Sequence, residues 1–395
     1  MAATAAGVVL AAVLPDAFLN VGLLQPMTAL LAALVIVLAL TVRWPRPGLT
    51  EIGLLALCIA SLWPRLAHLE LGAPGALLFI IATYGIGRLS GVGPRSLTWL
   101  LLGCGAVMGA IAIMQAVPHL ASLVPFHAMH RGLLVGSTRS TGLFDNPNTF
   151  GSYEAASVVL AALVGLPVGW RGTRTMRVVS ALLFGAIVLC LVGLGLSASR
   201  DSVLGLGAGL FVVVVVPGKG PAEKVRSLLP FAIAAGVALL VVLAVSAFST
   251  GPSISGRFDP TTVTTDHNML DRVHSWRLAV DLIRQHPLLG YGPTIPMGPV
   301  DNAYLEWILT GGVLGLVIWL AGLATVVPRA AWPLLAAVLA MGAFSNPFAV
   351  GPALAILLIS SGVLASQPPS GAGAASGGPA VRTGAGTVPT GPGST

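Results

Sequence analysis

The chain has 395 residues, 55% of them hydrophobic and 8% charged, with a mean hydropathy of +0.92. A water-soluble domain carries roughly 25% charged residues, so this chain lacks the charge to cover an aqueous surface and its solvent must be largely lipid. The formal charge of +7 fits basic cytoplasmic loops, and with no basic run interleaved with aromatics it predicts no nucleic-acid partner.

Apolar segments fall at about 4–15, 22–42, 50–64, 72–88, 97–117, 151–169, 178–197, 202–217, 228–248, 302–327, 331–346 and 350–365. They predict an all-α polytopic membrane protein of about twelve transmembrane helices. The start, "MAATAAGVVLAAVLP", has no basic n-region and reads as a retained first span rather than a cleavable signal. With the N-terminus inside, short cytoplasmic loops hold Arg43, Arg46, Arg88, Arg95, Arg171, Arg174, Arg177, Lys219, Lys224, Arg226 and Arg329. Nearly every acid falls on the opposite side, so the charge bias agrees with the span map. Cys58, Cys104 and Cys190 each sit in an apolar stretch without metal-ligand spacing and read as packing residues.

Two outer connections are longer than turns, about 118–151 and 249–300, and connections this long are usually functional. The second is a large extracytoplasmic loop whose middle, "LDRVHSWRLAVDLIRQHP", predicts an amphipathic helix. Val273, Trp276, Val280 and Ile283 mark its apolar face, while His274, Arg277, Asp281 and Arg284 line another. Arg277 and Asp281, four residues apart, form an ordinary helical ion pair on this reading. Pro287 ends the helix and "GYGP" turns the chain back. "GLGAGL" at 205–210 resembles part of a nucleotide fingerprint, yet it lies in a span without a preceding strand and reads as helix packing through Gly205 and Gly209. The expected organisation is a multi-pass domain over 1–365 and a disordered Gly/Ser/Pro-rich tail over 366–395.

The scarce polar residues gather in islands at the outer ends of the spans. "STRSTGLFDNPNTFGSYEA" contributes Arg139, Asp145, Asn146, Asn148 and Glu154; "SASRDS" contributes Arg200 and Asp201; "VDNAYLEW" contributes Asp301, Asn302, Tyr304 and Glu306. Ionisable groups at membrane depth are costly unless paired or facing water, so Arg200 needs a partner or an anionic ligand. Arg200 paired with Asp201 or Glu154 would merely lock helices. Asn146 and Asn148 around Pro147 are equally consistent with a turn and helix cap, and Asp301 is consistent with a cap or a general base. Arginines that keep their charge at any relevant pH can neutralise a diphosphate bidentately, and a nearby carboxylate can take a proton from a hydroxyl. No P-loop is present, so the energy must arrive with the substrate.

The order of these motifs resembles the O-antigen ligase and polymerase superfamily of bacterial envelope glycan assembly. The matching residues are Gly142, Phe144, Asn146, Pro147 and Asn148; Ser199 and Arg200; Arg272, Trp276, Pro287, Leu288, Gly290 and Gly292; and Asp301, Asn302, Tyr304 and Leu305 followed by Gly312 and Gly315. The resemblance implies a membrane glycosyltransferase at the outer face of the cytoplasmic membrane, using neither metal nor nucleotide and no other cofactor. Its partners would be a polyprenyl-diphosphate-linked glycan donor, a glycan, lipid or protein acceptor, and membrane lipids. By position, Arg200 and Arg272 would hold the diphosphate. Asp301 would be the catalytic base, standing where family ligases commonly have histidine. Arg139, Asn146, Asn148, Glu154, Asn302 and Tyr304 would line the substrate. An aspartate at 301 adds no positive charge beside a diphosphate, so polymerisation stands beside ligation. The competing class is a polytopic transporter or flippase of an anionic or lipid-linked substrate, which would place its charges near the membrane midplane.

Overall fold

The computed structural model describes residues 49–67, 75–89, 91–117, 120, 139–144, 146–165, 173–215, 221–247, 267–292, 296–297, 300–345 and 351–366. From residue 49 onward the helices are α1 (Leu49–Ala67), α2 (Gly75–Leu89), α3 (Pro94–Ala116), α4 (Pro147–Val164), α5 (Arg174–Ser197) and α6 (Arg200–Val215). They continue as α7 (Pro221–Ala247), α8 (His267–Gln285), α9 (Ala303–Val326), α10 (Trp332–Gly342) and α11 (Gly351–Ala365). Each apolar segment expected from residue 50 onward has its helix. The expected spans 4–15 and 22–42, the tail beyond residue 366, Asp145, most of the connection 118–151 and residues 249–266 of the second connection lie outside the described residues. Among the described residues, four stretches are long and apolar enough to cross a membrane: Pro94–Ala116, Arg174–Ser197, Leu228–Ser246 and Ala303–Val326.

Helix α4 is the centre of the bundle, buried without interruption from Thr149 to Ala162 and packed against α3, α5, α6, α10 and α11. In lipid, burying an apolar side chain gains little over leaving it exposed, so association depends on close packing and small residues. Gly205 sits against Met341 and Ala337 of α10, and Gly209 against Pro333 and Val159, as the packing reading of "GLGAGL" expects. Gly53 and Gly322 let α1 and α9 pack closely, with Gly53 against Thr325 and Gly322 against Leu57.

These contacts fix directions. Gly151 of α4 lies against Ser197 of α5 and Ser202 of α6, while Gly205 of α6 faces the far end of α10. The ends of α3, α5 and α10 therefore meet the starts of α4, α6 and α9 at one end of the bundle. At the other end Arg88 donates to the carbonyl of Ala365 at 2.6 Å and pairs with Glu51 at 3.6 Å.

The apolar run 302–327, expected as one helix, is broken. Gly312 has φ 66° and ψ −177°, outside any helix. A break normally strands carbonyls and amides, which is expensive in lipid. Here the loop after α8 replaces the missing turn. Tyr291 N donates to Leu309 O at 2.6 Å and Gly292 N to Thr310 O at 2.9 Å, while Val313 N and Leu314 N donate to Pro287 O and Leu288 O at 2.9 and 3.4 Å. Trp63 Nε1 of α1 takes the remaining carbonyl, Gly311 O, at 3.0 Å. Gly290 fits because a Cβ there would lie 2.6 Å from Leu309 O. The "PLLGYG" and "GGVLG" motifs are thus the two halves of one backbone joint.

Helix α8 ends at Gln285, before Pro287 as expected, and packs its Trp276, Ala279 and Ile283 side with Leu305 and Leu309 of α9. Two expectations for it are corrected. Val280 is exposed, because the face is centred on Ala279. Asp281 pairs with Arg284 at 3.0 Å and leaves Arg277 exposed; an acid placed N-terminal to its base is the better helical arrangement.

Candidate functional site

The "GLFDNPN" stretch folds as a turn that leads into α4. Gly142 takes φ 59°, and its amide and that of Thr141 donate to Gln115 Oε1 at 3.1 and 3.0 Å. Gln115 Nε2 returns a bond to Gly142 O at 2.8 Å, pinning the turn to the end of α3. Phe144 is buried against Phe150 and Tyr153. Asn146 caps α4, its side chain accepting from Asn148 N at 2.7 Å, and Pro147 occupies the first turn, where its missing N–H costs nothing. The cap explains why α4 begins four residues before the expected start at 151. It also commits the Asn146 carbonyl oxygen to the backbone.

Arg139 is held across this turn. Its Nε donates to Ser197 O at 2.7 Å and its Nη2 to Asn148 Oδ1. Asn148 therefore orients the arginine. Ser197 closes α5, and Ala198 follows in the left-handed region with φ 47°, the one non-glycine residue there among the described residues. This strained corner puts Arg200 at the first position of α6, half-buried at the same end as Arg139.

Asp201, one residue on, is 3% exposed. It accepts from Ser199 Oγ and from Ser345 Oγ, in the turn after α10. Ser199 Oγ also lies 2.7 Å from Ser202 Oγ, from which it can accept, and Ser202 Oγ reaches Asn148 O at 3.5 Å. Burial disfavours the charge of this carboxylate, and the Ser199 hydroxyl together with the charges of Arg272 and Arg139 oppose that cost.

Arg272 and Asp301 meet directly, Nε to Oδ2 at 2.9 Å, with side chains 24% and 38% exposed. Trp276 Nε1 donates to Asp301 O at 3.3 Å and its ring stands 6.1 Å from that of Phe344. The cap of α9 is Asn302, not Asp301. Asn302 Oδ1 accepts from Tyr304 N and Leu305 N at 3.1 and 3.0 Å, and its Nδ2 donates to Ala343 O at 2.9 Å. Tyr304 donates its hydroxyl to Leu339 O at 2.5 Å. Glu306 Oε2 accepts from Val300 N at 3.3 Å, tying the strand of chain before α9.

The structure thus brings Arg139, Asn148, Arg272 and Asp301 to one end of the bundle, with Arg200 at that end too. Asn146, Asn302 and Tyr304, expected on the substrate, have their polar groups used by helix caps and carbonyls. Glu154 does not join them. It is 0% exposed, filling the space beside Gly105 and Gly193 between α3 and α5, with the Cys190 thiol of α5 beside it. Among the described residues no cluster of histidine, cysteine, aspartate and glutamate is arranged to hold a metal ion.

Sequence reasoning missed three members of this end: Gln115, Ser345 and the buried role of Asp201. Gln115 interrupts the apolar run "GAIAIMQAV", and Ser345 begins "SNP" between two apolar spans; isolated polar residues at span ends were the available signal.

Residues 185–320 match the family model described as O-antigen ligase. The match runs from α5 through the joint of α9, and so includes Arg200, Asp201, Arg272 and Asp301. No curated protein and no solved structure matches the chain.

Proposed function

We propose, from the match of residues 185–320 to the O-antigen ligase family model and the geometry of the site, that the chain transfers a glycan from a polyprenyl-diphosphate carrier to an acceptor hydroxyl at the outer face of the cytoplasmic membrane. The observation that carries this reading is that Arg139, Arg200 and the Arg272–Asp301 pair lie at one end of the bundle, beside the α5–α6 corner.

In the transfer, the acceptor oxygen attacks the anomeric carbon of the donor sugar. The bond from that carbon to the diphosphate oxygen breaks, and its electron pair leaves with the diphosphate. Arg200 and Arg272 bind the departing charge, where a planar guanidinium offers two parallel donors to a phosphate. Arg139 adds its charge from the α4 side. The acceptor proton passes to Asp301. Asp301 is paired with Arg272 at 2.9 Å; a diphosphate that draws Arg272 to itself frees the carboxylate to act as base. Asn148, Asn302 and Tyr304 position these groups rather than touch the sugar.

The transporter reading has less support. The arginine–aspartate grouping lies at one end of the bundle, and the break in α9 is filled by the 287–292 loop. Deleting the gene and analysing envelope glycans with carrier-linked intermediates tests the proposal. Unpolymerised single repeats identify a polymerase, and full-length chains left on the carrier identify a ligase. An unchanged envelope with normal carrier pools refutes both.

A further inference from the structure

Asp201 stands out because it is a buried carboxylate at the arginine-bearing end of the bundle, yet it touches no guanidinium among the described residues. Its two oxygens are satisfied by hydroxyls from opposite sides of the site. On one side the path runs through Ser199 and Ser202 to Asn148, whose side chain holds Arg139. On the other side it runs through Ser345 into the turn after α10. That turn supplies Ala343 O to Asn302 and the Phe344 ring to Trp276, which in turn holds Asp301 beside Arg272. Ser345 is 144 residues away in sequence, so this bond ties the polar groups of the α4–α6 side of the site to those of the α8–α10 side, at the end of the close packing of α6 on α10.

Hydroxyl partners leave the carboxylate without an ion pair among the described residues, at the bundle end that also holds Arg139, Arg200 and Arg272. We infer that Asp201 is the positioning residue of the site, joining the Arg139 and Arg272 halves and serving as a fixed counter-charge that limits affinity for diphosphate. The inference rests on the diphosphate reading of the site. A carrier diphosphate left after transfer must depart before the next donor enters. Several arginines without a counter-charge would retain it, so the buried negative charge favours release. The position also suits a carboxylate: Asp201 lies in the first turn of α6, where the helix dipole stabilises it.

The test uses the full chain purified in detergent, with inorganic pyrophosphate as probe, titrated calorimetrically at constant salt. Asp201→Asn keeps the size and one acceptor while removing the charge. It should bind pyrophosphate about tenfold more tightly, with an unshifted melting temperature, while restoring less envelope glycan to a strain lacking the gene. A purely structural role predicts the reverse, weaker binding and a lower melting temperature. Unchanged or weaker binding by Asp201→Asn, beside normal binding by the unaltered chain, overturns this inference alone. No pyrophosphate binding by the unaltered chain overturns the diphosphate reading and the inference with it. If Asp201→Asn fails to accumulate, Ser345→Ala decides, since it keeps the charge and cuts the link between halves. It should lower glycan restoration several-fold while pyrophosphate affinity stays within about twofold; undiminished restoration overturns the inference.

Discussion

Replacing Gly312 with alanine tests the joint that carries Asp301. The φ of 66° and ψ of −177° at this position belong to a region open essentially to glycine alone, and holding alanine there costs about 1–3 kcal/mol. Space adds to the cost. A Cβ at residue 312 would overlap the carbonyl group of Leu288 and lie 2.5 Å from Leu289 N. Both are backbone atoms that cannot rotate aside. The loop must therefore leave, which breaks the four bonds joining residues 287–292 to 309–314. A healed helix would regain two of them, from Val313 to Leu309 and from Leu314 to Thr310. The net loss is two bonds at about 1 kcal/mol each. Together with strain, or with the packing of α8 that its relief would forfeit, the change should cost about 3–5 kcal/mol. Gly103→Ala is the control, because it lies inside α3 with nothing within 4 Å of the added carbon. That substitution should leave stability unchanged or raise it by about 0.5–1 kcal/mol. Melting temperatures in detergent and accumulation in membranes report the difference. A Gly312→Ala chain melting within about 2 °C of the Gly103→Ala chain and active in glycan assembly would refute the account of the joint.

Asp301→Asn should lower transfer by about 10²–10⁴-fold, whereas its half-exposed pair with Arg272 contributes at most about 1 kcal/mol to stability. Near-normal turnover in membranes, measured with a carrier-linked donor, would remove Asp301 from the mechanism. Arg200→Lys and Arg272→Lys keep charge but lose the planar fork, so both should fall well below wild type. Arg277→Lys should be mild because that side chain is exposed, and equal tolerance at all three positions would show the first two to be structural. Asn302→Ala removes the cap of α9 and the bond to Ala343, at a cost of about 1–2 kcal/mol; an unchanged melting temperature would contradict the capping role. His267→Cys should react with a membrane-impermeant thiol reagent from the outer side, and labelling from the cytoplasmic side alone would invert the topology.

The sequence by itself determined the class of solvent and the helices seen among the described residues. Hydropathy is a local property, so runs such as 97–117 and 178–197 were legible wherever the chain is apolar for long enough. The cap at Asn146 and the stop before Pro287 were legible for the same reason, because turn chemistry acts within a few residues. Tertiary structure alone decided which polar residues face one another. The break at Gly312 is invisible in an apolar run, since its missing hydrogen bonds are supplied by residues 287–292 and by Trp63, far off in sequence. Glu154, less than two turns past the polar stretch, read equally as a site residue or as a residue of a helix interface, and helix rotation aims it between α3 and α5. Asp201 read as a partner for its neighbour Arg200, yet its hydroxyl partners include Ser345 on another helix end. Side-chain direction around a helix and contact between distant spans are set by how the bundle packs, and no window along the chain contains that information.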